Sequence, residues 1–294
     1  ISLETQGVYD TTDRIYVYDS NNQTVAVYKS NLTNVWTPYV SGDTIYVRLV
    51  TDSSVGDYGF YINQILNGTT NTTMNWSSCS KVIGGWDTYN NDNDPLDDNG
   101  HGTHVAGIVA STNETYRGVA PEAKLVAIKA LSSGGTGYSS DVAAGIDWCN
   151  SNANRLNISV ISMSLGCDGG GCTHYQTYCN DDLTAEAINT ANRKNITVAI
   201  AAGNSGWTDG ISSPACVQNA TPVGGVDGSD GIIYNRGNLL SLLAPATSIY
   251  STYPTSSWTS LSGTSMATPH VAGAVALFRQ YWRLAYNQNI TVDQ

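Results

Sequence analysis

Positive charge is scarce in this chain. Of 294 residues, 13 are Lys or Arg and 24 are Asp or Glu, a formal net charge of −11. That balance excludes the basic face expected of a nucleic-acid binder and suits a soluble exported protein. Long apolar runs are missing too. None approaches the ~18 residues needed to cross a bilayer, so no membrane span is expected in this segment. No methionine or signal-like stretch stands at Ile1, which leads to the expectation of a piece cut from a longer precursor. The six cysteines, Cys79, Cys149, Cys167, Cys172, Cys179 and Cys216, are spaced too irregularly for a zinc ribbon. A disulfide stapling the Cys167, Cys172, Cys179 region is expected, with its connectivity left open.

What is present begins with a core. Hydrophobic residues make up 41% of the chain, and the length allows one large domain or one large and one small. N-x-[ST] sequons stand at Asn22, Asn31, Asn67, Asn71, Asn75, Asn113, Asn157, Asn195, Asn219 and Asn289. So many acceptors fit an exported glycoprotein, although an Asn/Thr-rich composition generates them by itself.

Three regions differ in pattern. Residues 1–66 read all-β, with β-branched and aromatic runs such as Ile15-Tyr16-Val17-Tyr18 and Thr24-Val25-Ala26-Val27-Tyr28 separated by turn clusters. This suggests a small sandwich. Residues 67–78 form a polar, low-complexity linker. From Cys79 to Gln294 apolar strands alternate with helical stretches (Gly102 to Ser111, Tyr138 to Ser151, Thr184 to Lys194, Val271 to Trp282). That alternation predicts an α/β fold, a mostly parallel sheet with helices on both faces. Ligands in such folds bind beyond the carboxyl ends of the strands.

Two motifs carry chemistry. The first is Gly263-Thr264-Ser265-Met266-Ala267-Thr268-Pro269-His270-Val271-Ala272-Gly273. It delivers Ser265 onto a helix start, where free backbone N–H groups lie beside the hydroxyl. The second is Asn99-Gly100-His101-Gly102-Thr103-His104. An imidazole titrates near neutrality and can take a serine proton and return it to a leaving amine. A metal reading of His101 and His104 lacks a third ligand and the H-E-x-x-H glutamate. An esterase of the α/β-hydrolase type would need serine before histidine, and here the order is reversed.

Both motifs resemble the signatures of the subtilisin-like serine peptidases, in that family's order, and the resemblance covers residues 79–294. It implies the three-layer αβα fold, with Ser265 as nucleophile and His101 as general base. It implies that Asn204, in Ala202-Gly203-Asn204-Ser205, donates to the oxyanion. It implies a peptide groove edged by Gly135 and Gly137, by Ser164, Leu165 and Gly166, and by Gly203. A protein or peptide substrate follows, as do a propeptide in the precursor and an extracellular or cell-surface location. Ser205 is uncharged, so no strong bias for a basic residue at the cleavage position is expected, although Asp168 and Asp209 lie in loops that could reach the groove. The acidic loop before His101 is similar to a calcium loop of thermostable members and implies a structural Ca2+ on Asp87, Asp92 and Asp94; the alternative is a solvated acidic loop. The N-terminal region resembles the later half of a CUB domain, in which Asp13 and Asp52 would help hold calcium, or would be plain turn aspartates.

The family's triad aspartate comes from an Asp-[Ser/Thr]-Gly turn before the strand matching Lys81 to Gly85. No such tripeptide occurs in the chain. The expectation is that the CUB-like unit is inserted between the aspartate and histidine segments, with the aspartate upstream of Ile1. A subtilase-derived protein-binding module without catalysis is the competing expectation.

Overall fold

The computed structural model describes residues 2–5, 14–28, 35–38, 45–50, 60–64, 79–167 and 172–292. Asp13, Asp52, Asp168 and the linker expected over residues 67–78 lie outside the described residues. The chain divides into two compact units, one of residues 1–74 with 91–94, the other of residues 75–90 with 95–294.

The described strands of the first unit are β1 (Ser2–Thr5), β2 (Arg14–Tyr18), β3 (Thr24–Tyr28), β4 (Val35–Trp36), β5 (Tyr46–Val50) and β6 (Phe60–Gln64). They form two three-stranded antiparallel sheets, in the orders β4-β1-β6 and β3-β2-β5. Alternation decides which face is buried. Ile15 and Val17 point inward, where Ala26, Tyr28, Ile45, Val47 and Val35 of the other sheet cover them. Tyr16 and Tyr18 stack on the opposite face, 6.0 Å between rings. The β2–β3 hairpin turns on Asp19, whose Oδ1 accepts the backbone N–H of Asn21 and of Gln23, each at 2.9 Å.

The second unit contains β7 (Val82–Asp87), α1 (His101–Ala110), β8 (Leu125–Lys129), α2 (Ser139–Leu156), β9 (Val160–Met163), α3 (Ala185–Arg193), β10 (Thr197–Ala201), β11 (Thr221–Val226), β12 (Ile232–Ile233), β13 (Leu242–Pro245), β14 (Ile249–Tyr253), β15 (Ser257–Leu261) and α4 (Thr264–Tyr286). Strands β9, β10, β11 and β13 pair in parallel, and β12 joins β11 antiparallel. Strand β10, Thr-Val-Ala-Ile-Ala, is wholly buried. Its Val198 and Ile200 face Ile146 and Ala153 of α2 and Ile188 and Ala191 of α3. Between them Ala199 faces the other way, toward Ala267, Val271 and Ala272 of α4. Helices therefore cover both faces, as alternation of apolar strands and helices requires.

Among the described residues, however, β8 bonds only to β7 and β9 only to β10. The parallel sheet is in two pieces. Each residue of β8 is half-buried although four of the five are apolar. Unpaired strand edges leave backbone donors and acceptors open.

Helix α4 begins seven residues before the Val271 expected from the apolar run and contains Pro269. Proline lacks the N–H that would bond the Ser265 carbonyl four residues back. That carbonyl instead accepts the Ser164 hydroxyl at 2.7 Å, so the helix continues through the proline with its lost partner replaced.

Two disulfides staple the loops beside the sheet, Cys167–Cys172 and Cys179–Cys216. Cys79 is exposed and unpaired among the described residues, and Cys149 is a buried thiol. No helix of the described residues is long and apolar enough to cross a membrane. Replacing Cys179 and Cys216 together by Ala frees a link across 37 residues. The unfolding free energy should fall by about 2–4 kcal/mol, read from the urea midpoint. An unchanged midpoint would show that the link does not restrain the unfolded chain.

Candidate active site

The site is built from strand ends and two helix starts. Ser265 is the second residue of α4. Its Oγ donates to the Ser164 carbonyl at 3.3 Å while the Ser164 hydroxyl donates to the Ser265 carbonyl. This reciprocal pair ties the serine to the carboxyl end of β9. Ser164, Leu165 and Gly166 follow that strand. Leu165 packs on the core, and the next backbone N–H, that of Cys167, donates to the Ser213 carbonyl at 2.9 Å.

Asn204 follows β10, and the structure brings it directly to the start of α4. Its Oδ1 accepts the Thr264 N–H at 2.9 Å and the Thr264 hydroxyl at 3.1 Å. Those bonds fix which end of the amide faces the helix. The Nδ2 donors are left for another acceptor. Gly203 donates its N–H to the same Thr264 hydroxyl at 3.2 Å. Thr264, fully buried, is thus a shared clamp, and its role was not legible in the sequence.

His101 opens α1, after Gly100 with φ of 107°. A side chain at Gly100 would run into the Tyr253 ring, so the turn into the helix requires glycine. Asp97 holds this turn. Its Oδ1 accepts the Asn99 and Gly100 N–H groups at 3.0 and 2.8 Å, and its Oδ2 accepts the Thr103 N–H and hydroxyl, both at 2.6 Å. Burial pushes the Asp97 carboxyl up, yet these hydrogen bonds together hold it below its ordinary value. Sequence analysis gave Asp97 no role of its own. The usable signal was an aspartate just ahead of a helix start, where a carboxylate meets open N–H groups. Asn99 spans the site: its Oδ1 accepts the His101 N–H at 3.2 Å and its Nδ2 donates to Ser133 O at 2.8 Å. That anchors the turn carrying Gly135 and Gly137.

Burial pushes the His101 imidazole below its ordinary value, with Asp97 acting against this and His104 with it. A neutral ring near pH 7 is the form that accepts a proton. Among the described residues no carboxylate hydrogen-bonds the ring, and Ser265 donates to Ser164 rather than to His101. His104 is buried and structural. Its Nε2 lies 3.1 Å from both the Ile249 and the Thr259 carbonyls, joining α1 to the β14–β15 hairpin. His270 contacts the Met266 carbonyl through Nδ1 at 2.8 Å. Asp209 is held by His174 at 3.0 Å and by Gln176 at 2.5 Å.

The aspartates expected to hold calcium make contacts of their own within the protein. Asp87 is buried and already neutralised by Lys129, whose Nζ lies 3.0 Å from Oδ2. It also accepts the N–H and the side-chain amide of Asn90, at 2.9 and 2.8 Å. Asp92 Oδ1 accepts the Asp94 N–H at 2.9 Å. Among the described residues no group of three or more His, Cys, Asp or Glu gathers as metal ligands. The Lys129 ammonium serves Asp87 and, at 3.6 Å, Asp98. Burial would lower its proton affinity, but the two carboxylates outweigh it and hold it above its ordinary value.

The Subtilase family profile matches residues 21–290. The chain belongs to the subtilase family. It is 40% identical over 218 residues to thermitase of Thermoactinomyces vulgaris, covering 72% of this chain and 73% of that one. To subtilisin DY of Bacillus licheniformis it is 42% identical over 204 residues, covering 67% and 69%. Among solved structures, a cold-adapted subtilisin-like serine proteinase superposes with a TM-score of 0.58 at 34% identity, covering 72% of this subtilase and 70% of that chain. The profile match starts within the N-terminal β unit rather than at Cys79.

The Lys129 arrangement gives a direct test. Lys129→Met would leave Asp87 buried without its counter-charge, and such a loss costs about 3–5 kcal/mol. Unfolding in urea should show that drop, and calcium should recover part of it only in the variant. A calcium-dependent stability in the parent protein that is lost in Asp92→Asn would show that this loop does take the ion.

Proposed function

We propose that this subtilase is a secreted serine endopeptidase that cleaves peptide bonds through an acyl-enzyme. Ser265 Oγ attacks the scissile carbonyl carbon, His101 takes the hydroxyl proton and passes it to the leaving amine, and water then releases the acyl group. The substrate lies as an added strand along Gly135 and Gly137 on one side and Ser164 to Gly166 on the other. The observation that carries this reading is the fixed Asn204 amide. With Oδ1 held by the Thr264 N–H and hydroxyl, the amide is fixed and its Nδ2 is left to donate, and a donor that needs no reorganisation during reaction lowers a barrier selectively.

Location outside the cell is supported by the two disulfides. Exposed sequon asparagines at Asn22, Asn113, Asn157, Asn219 and Asn289 add to this. Asn195 is half-buried and its amide donates to the Ile290 carbonyl at 3.0 Å, and the Asn219 amide donates to Asn189 Oδ1 at 2.8 Å. The N-terminal sheets are read as a CUB-like unit inserted ahead of the histidine segment.

One observation favours the second reading, a binding module of subtilase descent. The His101 ring has no orienting carboxylate among the described residues, and Asp19, the nearest match to a triad turn in sequence, is consumed by its own hairpin. Loss of that carboxylate costs about 10⁴ in kcat in related triads. Turnover of a chromogenic peptide by the 294-residue chain should therefore fall that far below thermitase. Equal turnover would mean that a carboxylate within these residues serves His101. A fluorophosphonate that labels Ser265 passes through an oxyanion as well. Asn204→Ala should slow that labelling by about 10²–10³, the loss a subtilisin shows for its oxyanion amide. An unchanged rate would place Asn204 away from the oxyanion.

A further inference from the structure

Asn235 is a buried polar residue that the reaction scheme does not use. It follows β12, between half-buried neighbours, and is itself 0% exposed. The residue before it, Tyr234, has φ of 63°. For a bulky side chain this left-handed conformation is rare and is kept only where the surroundings demand it. Here the bend turns Asn235 inward.

Every hydrogen-bonding group that Asn235 directs inward meets the segment carrying Asn204. Its backbone N–H donates to the Gly203 carbonyl at 3.1 Å. Its Nδ2 donates to the Ala202 carbonyl at 3.0 Å and to the Ser212 hydroxyl at 3.1 Å. Its Oδ1 accepts the Trp207 N–H at 3.1 Å. One end of the amide faces a carbonyl and the other an N–H, so its orientation is dictated. The next residue continues the brace, Arg236 N–H donating to the Trp207 carbonyl at 2.8 Å. Asn235 thus grips the loop on both sides of Asn204, at residues 202 and 203 and at residue 207. Gly203, with φ of 100°, lies so close that a side chain there would collide with the Asn235 amide and the Ser212 hydroxyl.

We propose that Asn235 is a positioning residue for the oxyanion donor. Thr264 fixes the Asn204 side chain from the helix, and Asn235 fixes the backbone from which that side chain departs. The two constraints act on different parts of one residue. Thr264 alone sets which end of the amide faces α4, and Asn235 sets where the amide stands relative to Ser265. An amide displaced by about 1 Å from the developing charge loses much of its effect. This inference rests on the reading of Asn204 as the oxyanion donor.

The test is a double-mutant cycle on Asn204 and Asn235 in the full 294-residue chain, read as the rate of fluorophosphonate labelling of Ser265. Asn235→Ala should slow labelling about tenfold or more, yet change the rate by less than about twofold when Asn204 is already Ala, because residues acting through one group are not additive. Equal slowing in both backgrounds would overturn the proposal and leave Asn235 a purely structural residue. Hydrogen exchange decides independently of chemistry. In Asn235→Ala, at a temperature where melting shows the fold intact, the Thr264 amide that donates to Asn204 should lose protection while the β10 amides keep theirs. Unchanged protection at Thr264 would also overturn it. Absence of labelling in the parent chain would count against the peptidase reading alone, and the exchange result would then decide the place of Asn235. Asn235→Asp keeps the shape and the Trp207 contact but sets a carboxylate oxygen against the Ala202 carbonyl. It should slow labelling at least as much as Ala, and parent-like labelling would contradict the role given to the Nδ2 donor.

Discussion

Close approach between the start of α4 and the middle of the parallel sheet is the constraint on which the site depends. It is achieved with small residues. Ala199 on β10 meets Ala267 and Ala272 on α4, with Ala244 and Ala246 beside them. Larger side chains at this seam would push the helix outward, and interiors packed to crystal density yield only by moving whole elements. Because the helix lies close, Thr264 reaches Asn204 and Gly203, and Ser265 reaches Ser164. The polar contacts of the site are thus consequences of an apolar seam. The proline within the helix adds to the same end, since the carbonyl it leaves open is the one that holds Ser164.

The electrostatics follow from depth. His101 is driven toward its neutral form mainly by burial, while Asp97 is kept charged by a ring of donors. They stand four positions apart, and each ends in a different charge state because the carboxylate finds hydrogen-bond donors while the imidazole, buried, finds no acceptor among the described residues to hold its charged form. At the end of β7, Lys129 and Asp87 solve the problem of buried charge by mutual neutralisation, ahead of a loop whose sequence suggested a bound cation.

Much of this was legible in the residues. The two glycine-rich motifs placed Ser265 and His101 at helix starts because small, turn-forming residues flank them, and the alternation of strands and helices gave the layered α/β form. The legibility ended where tertiary contacts decide. Apolar periodicity alone began α4 at Val271, because proline reads as a breaker until the Ser164 hydroxyl that replaces its missing donor is known. Asp87, Asp92 and Asp94 resembled a ligand set within a run of aspartates that extends to Asp98. Two of that run serve separate tasks: Asp87 pairs with a lysine from another strand, 42 positions on, and Asp97 caps the helix that carries His101. Asn235 carried no local signal, since a polar residue after a short strand is ordinary until its burial is seen.

The two-piece sheet has a consequence for how the molecule opens. Among the described residues no strand of the β7–β8 pair bonds a strand of the β9–β10–β11–β13 set, so the pieces are joined through helix contacts and side chains such as His104. Local opening of a fold follows the contacts that join its elements. Ser265 and Asn204 stand on the larger strand set. His101 enters from the connection between β7 and β8, and its helix is tied to β14 where the Ser251 and Thr252 hydroxyls donate to the His104 and Thr103 carbonyls. Opening at those contacts would part the proposed serine and histidine without breaking either strand set.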